Sequence, residues 1–209
     1  HEPEESCFCK VFGTDAADPA ADVAVWMVEG TLYWKAISEK GQALTEAVKD
    51  VLTDADASDE AKVEKGIAIL KEYGVDVEVR ALSAHRAHRA LSEFVEECNN
   101  NGTDVILTAA GMAAALPGVV ASMTVLPVIG IPIKGASLDG MDALLSIVQM
   151  PSGIPVATVA IDGAKNAAWL ALEIMAIKYP ELSEKLKNNR QAMEKACLDT
   201  NNEISEKYR

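Results

Sequence analysis

The chain has 209 residues, of which 49% are hydrophobic and 5% aromatic, and it carries a formal net charge of −13. That length holds one α/β domain plus appendages, and with so few aromatic rings small aliphatic side chains must fill the core. The acidic excess excludes a nucleic-acid surface, which needs a basic footprint, and leaves no polybasic patch for a membrane.

Residues 1–21 are acidic and rich in Ala, Asp and Pro, the composition of a poorly ordered arm. The start, His1-Glu2-Pro3-Glu4-Glu5-Ser6, is acidic where a signal peptide would be basic and then apolar. Nowhere do about twenty apolar residues run uninterrupted. Cys7, Cys9, Cys98 and Cys197 are too scattered for a disulfide framework, and Cys7-Phe8-Cys9 has no second ligand pair to complete a zinc site. A reducing cytoplasm is therefore the expected compartment.

Asp22–Met27 predicts a first strand and residues 32–52 a helix interrupted by Gly41, so residues 22–57 read as a divergent first strand plus a helical insertion. The α/β domain proper is expected over 58–209. Ser58 or Asp59 should cap a helix through Tyr73, with Gly74 as its stop. Strands follow at 75–82, 104–108, 127–132 and 155–161. Helices are expected between them at 86–99, 112–123 and 140–149, then at 164–178, with a charged amphipathic helix from Pro180 to Tyr208. Strict βα alternation with short apolar strands means a parallel sheet covered on both faces. In the last helix Leu182, Leu186 and Met193 make an apolar stripe that a neighbouring subunit would cover.

Ligands of such sheets bind beyond the carboxyl ends of the strands. Ser83-Ala84-His85-Arg86 lies at one of these ends. Histidine exchanges protons near neutrality, and arginine grips carboxylate or phosphate with two parallel hydrogen bonds. The plainer reading is a polar turn in which Ser83 caps a helix. His85 and His88 share i, i+3 spacing, but zinc would want a third ligand and none is near in sequence. Residues 108–118 form a loop almost bare of side-chain bulk, suited either to backbone contact with an anion or to close helix packing. Residues 132–142 and 149–153 supply two more loops rich in Gly, Pro and Ser.

Several blocks together resemble a known family. They are Ser83-Ala84-His85-Arg86, Leu116-Pro117-Gly118, Pro127-Val128-Ile129-Gly130-Ile131-Pro132, residues 138–142 and, above all, the run from Ser146 to Val156 with Gln149-Met150-Pro151 at its centre. In this order they resemble the bacterial N5-carboxyaminoimidazole ribonucleotide mutases over residues 55–200. The resemblance implies a flavodoxin-like three-layer α/β/α sandwich with a parallel sheet and a long C-terminal helix. It implies a cytoplasmic homo-octamer with active sites at subunit contacts, acting in de novo purine biosynthesis. The implied reaction moves a carboxyl group from an exocyclic nitrogen to a ring carbon of an aminoimidazole ribonucleotide. Carbon dioxide is a transient intermediate, and neither metal nor cofactor takes part.

Roles carry over residue by residue. His85 matches the general acid/base, Arg86 a residue that holds the substrate's anionic groups, and Ser83 a residue lining the site. Ser58 and Asp59 keep the ribonucleotide-binding positions of the family's Gly-Ser-x-Ser-Asp, and Ala110 and Gly111 keep theirs in the small-residue loop. The Gly-Ser of that first motif is here Ala55-Asp56, so Asp56 sets a carboxylate where a hydroxyl should donate to phosphate. In the second loop a glycine has become Met112 and a histidine Ala115. About thirty residues also separate the favoured first strand at 23–27 from Ser58, and the alternative first strand, residues 50–54, is short and polar. Three readings stay open. One is a working mutase whose altered phosphate grip is compensated by Arg86, helix N-termini and Arg89. Another is an impaired or re-purposed octameric paralogue, and the third a carboxylase of a different imidazole or pyridine nucleotide.

Overall fold

The computed structural model describes residues 23–28 and 57–209. Five strands form one wholly parallel sheet: β1 (Val23–Val28), β2 (Asp76–Ala81), β3 (Thr103–Gly111), β4 (Val128–Ile133) and β5 (Ala157–Thr158). Their order is β2-β1-β3-β4-β5, the flavodoxin-like order with its switch point between β1 and β3. The helices among the described residues are α1 (Ala57–Glu72), α2 (His88–Asn100), α3 (Ala115–Ala121), α4 (Met141–Val148), α5 (Ala164–Met175) and α6 (Pro180–Lys207).

Period-two alternation divides the core between the two faces of the sheet. Val105, Leu107 and Ala109 of β3, with Ile129, Ile131 and Ile133 of β4, pack beneath α1, α5 and α6. Ile106 and Ala110, with Val128, meet α2, α3 and α4 on the other face. Each helix turns its own stripe inward. In α2 this is Leu91, Phe94, Val95 and Cys98, the i, i+3, i+4, i+7 spacing of an amphipathic helix. In α5 it is Ala164, Ala167, Ala168, Ala171, Leu172 and Met175, whose small side chains let the helix lie close on the sheet. The three-layer sandwich expected from the alternation is the fold that forms.

The differences from the sequence reading have local causes. β3 runs on to Gly111, because its pairing with β4 continues through Gly111↔Ile133. α3 consequently begins at Ala115 rather than Met112, after two residues in the left-handed region that no helix includes. β5 is cut to two residues. Pro155 has no N–H to give and the strand lies at the sheet's edge. α1 begins at Ala57, so Ser58 and Asp59 stand within its first turn rather than capping it. α5 stops at Met175, short of Lys178, as the approach to Pro180 breaks the helix.

Leu182 and Leu186 of α6 are buried against this chain's own core, so no neighbour is needed to cover them. Met193 is 63% exposed, and from residue 191 onward α6 buries nothing against the described residues. The arm over 1–21, the helix over 32–52, the alternative first strand over 50–54 and Asp56 lie outside the described residues. No described helix is long and apolar enough to cross a membrane.

Candidate active site

The carboxyl ends of the strands gather the loops after β2, β3, β4 and β5, together with the first turn of α1. Among the described residues, four non-glycine residues have left-handed backbone: Met112 (φ 54°), Ala114 (41°), Asp139 (52°) and Asp162 (54°). All four lie in loops leaving this edge. Such geometry costs an ordinary L-residue about 1–2 kcal/mol, and it concentrates where a ligand-binding shape must be held.

The loop after β2 is a hydrogen-bonded turn. The Ala87 N–H donates to the Ser83 carbonyl at 2.9 Å, and the Ser83 hydroxyl accepts from the Arg86 N–H at 3.3 Å and from Arg86 Nε at 3.4 Å. Ser83 therefore caps this turn, three residues ahead, while α2 itself starts at His88 with no side-chain cap. The same hydroxyl steadies the guanidinium. Ala84 is buried in the core and anchors the turn, leaving His85 and Arg86 exposed side by side at the edge. His88 opens α2 and accepts, through its carbonyl, a hydrogen bond from the Ser92 hydroxyl. No group of three metal-ligating side chains comes together among the described residues.

The small-residue loop divides by function. The Ala110 methyl is fully buried and Gly111 half-buried at the end of β3, so only their backbone can meet a ligand. Leu116 and Pro117 are core, and a side chain on Gly118 would come within 3.1 Å of Met150 Sδ. That half of the loop serves close packing. Met112, where the family has glycine, is 65% exposed and lies over Gly135 of the neighbouring loop.

Ser58 and Asp59 sit in the first turn of α1, at the same edge. Arg89, a candidate for extra phosphate grip, instead faces Glu93 on the outer surface of α2, Nε to Oε1 2.8 Å, and that hydrogen bond raises its pKa. Cys98 is a core residue. Burial pushes its thiol up to about 11, far from a nucleophile's range. Sequence reasoning missed Lys62, Lys134 and Asp162, which tie three of the edge's segments together. The Asp-Gly pairs at 139–140 and 162–163 were the available signal for tight turns there.

A family model described as AIR carboxylase matches residues 51–196. The N5-carboxyaminoimidazole ribonucleotide mutase of Pyrococcus abyssi is 54% identical over 138 residues, which are 66% of this chain and 79% of that protein. The mutase of Saccharolobus solfataricus is 52% identical over 136 residues, 65% of this chain and 86% of that one. Among solved structures, Treponema denticola PurE aligns with a TM-score of 0.67 at 24% identity, covering 87% of this chain and 98% of that chain, which establishes the fold. With most of its length matched by the family model, from Val51 into α6, the chain belongs to the AIR carboxylase family.

Proposed function

We propose that this protein is an N5-carboxyaminoimidazole ribonucleotide mutase of purine biosynthesis, an intramolecular transferase that needs no cofactor. The observation that carries the reading is the 54% identity to a mutase across a span holding the His85–Arg86 turn. The chemistry suits a single titratable group. The exocyclic nitrogen loses its carboxyl group and gains a proton, while the ring carbon loses a proton and gains the carboxyl. No electrons change hands and protons are conserved. One residue that both accepts and donates near neutrality is sufficient, and His85 is assigned that role.

Arg86, steadied by Ser83, holds the anionic groups of the substrate, and the backbone of Ala110 and Gly111 faces the imidazole. Ser58 and Asp59 take the ribose and phosphate from the first turn of α1, and Asp56 weakens that grip. We assign residues 58–209 to the catalytic domain, 22–57 to the first strand with an insertion, and 1–21 to an acidic arm. The working unit is a cytoplasmic homo-octamer. Exposed Val125, Ile177, Leu198 and Ile204 support association.

Turnover of the carboxyaminoimidazole ribonucleotide, followed by ultraviolet absorbance, tests the reading. His85→Asn should abolish it, and His88→Asn should leave it within about threefold, the size of effect expected of a residue outside the proton transfer. Equal losses would overturn the assignment of His85. Absence of turnover in the unaltered protein would favour the re-purposed paralogue.

A further inference from the structure

We infer that Lys62 and Asp162 form a positioning pair that fixes the first turns of α1 against the loops after β4 and β5. Its consequence for ribonucleotide affinity rests on the mutase reading above. One carboxylate oxygen joins three segments. Asp162 Oδ1 accepts the Lys134 backbone N–H at 3.0 Å and faces Lys62 Nζ at 3.6 Å. Lys62 Nζ also donates to the Lys134 carbonyl at 3.3 Å. The Asp162 N–H in turn donates to the Pro132 carbonyl at 2.8 Å.

The surrounding loops are shaped to hold that carboxylate in place. Asp162 is itself left-handed, at φ 54°. A side chain on Gly163 would come within 2.6 Å of the Ala160 carbonyl oxygen, and one on Gly140 within 2.7 Å of Ile161. The pair is also largely withdrawn from solvent, with side chains 22% and 31% exposed, unlike the surface ion pairs of α6. Exposed pairs contribute little, but a pair that also bonds backbone in two loops fixes geometry.

Placement gives the pair its relevance. Lys62 follows Asp59 by three residues and Ser58 by four, so the helical repeat sets all three positions on one side of α1. Of the buried apolar residues described for α1, Val63 follows Lys62 directly and adds to its hold, while Leu70 lies two turns farther along. The pair therefore acts on the end of α1 that carries the proposed ribonucleotide positions. Lys134 Nζ is engaged with Asp139 at 3.0 Å and leaves Asp162 to Lys62 and the backbone.

Charge and position predict opposite signs for one variant. Asp162→Gly keeps a residue suited to φ 54° and removes a negative charge near an anionic substrate. If charge alone mattered, KM would fall. If position matters, KM rises. For Lys62→Met and Asp162→Gly we expect KM for the carboxyaminoimidazole ribonucleotide to rise about tenfold, with kcat within about twofold. The double variant should be no worse than either single one, and Lys62→Arg should stay close to the parent. Asp162→Asn serves as the second variant if glycine does not fold, with a smaller rise in KM.

Amide hydrogen exchange at residues 61–65 supplies a readout independent of turnover, and both Lys62→Met and Asp162→Gly should accelerate it. A KM that is unchanged or lowered in Asp162→Gly, in a protein that turns over substrate, overturns the pair and leaves the mutase reading standing. If the unaltered protein shows no turnover, the mutase reading falls and exchange alone judges the pair. Acceleration confined to the start of α1 then supports it, and unchanged exchange overturns it.

Discussion

Met112 holds a backbone shape better suited to glycine, with φ 54° and a side chain 65% exposed. Left-handed geometry costs such a residue roughly 1–2 kcal/mol, and glycine's greater freedom in the unfolded chain takes back roughly 0.5–1. Met112→Gly should therefore stabilise the protein by up to about 1 kcal/mol, raising Tm by about 2–4 °C for a chain of this size. Calorimetry checks it. A lowered Tm would mean that packing of Met112 over Gly135 outweighs the strain. The same arithmetic does not extend to Asp139 and Asp162, since aspartate tolerates the left-handed region and both carboxylates are engaged.

At the scale of elements, β2 carries an unusual charge. Glu78 is half-buried on it, with Oε1 withdrawn from water and making no hydrogen bond, although the Arg80 guanidinium lies against it as an ion pair. Arg80 also sits over the Phe94 ring, 5.2 Å from its centroid. Burial raises the Glu78 pKa, and the opposing pull of Arg80 does not cancel it. A carboxyl raised by folding favours the folded state while it is protonated, and that contribution is lost as pH climbs through the raised value. Glu78→Gln cannot ionise. Its Tm should match the parent in acid and exceed it by a growing margin as pH rises above the ordinary glutamate pKa of about 4. A margin that stays constant with pH would refute this.

The elements also show what the sequence could and could not carry. Short apolar runs such as Val105-Ile106-Leu107 and Val128–Ile133 announce buried parallel strands, because both faces need cover. The turn at Ser83 was legible because its hydroxyl and Arg86 interact within three residues. β3's extra length was not, since it depends on a ladder partner in β4. Nor could local pattern pair Lys62 with Asp162, which meet only after α1 and β5 are placed. The first strand was the harder choice. Val23–Val28 forms it, upstream of the span that the family model matches.

For the whole molecule, α6 divides into a half that serves folding and a half open to the proposed assembly. Leu182 and Leu186 are in the core, while Met193, Leu198 and Ile204 are more than half exposed on a helix that no described residue covers beyond residue 190. Deleting residues 191–209 should leave Tm of the isolated fold nearly unchanged and lower the molar mass measured by light scattering. An octamer that survives the deletion would place the contacts elsewhere, with Val125 and Ile177 the next exposed apolar positions.

The His85–Arg86 turn hangs from β2, an edge strand that among the described residues is bonded on one side only, to β1. A strand with a single neighbour is among the first parts of a sheet to open locally, well before the buried centre of β3 and β4 gives way. Heat should therefore silence this protein before it melts it. Residual turnover measured at temperature should fall with a midpoint several degrees below the loss of helical circular dichroism, and should return on cooling from between the two. Coincident midpoints would mean that the rim and the core fail as one unit.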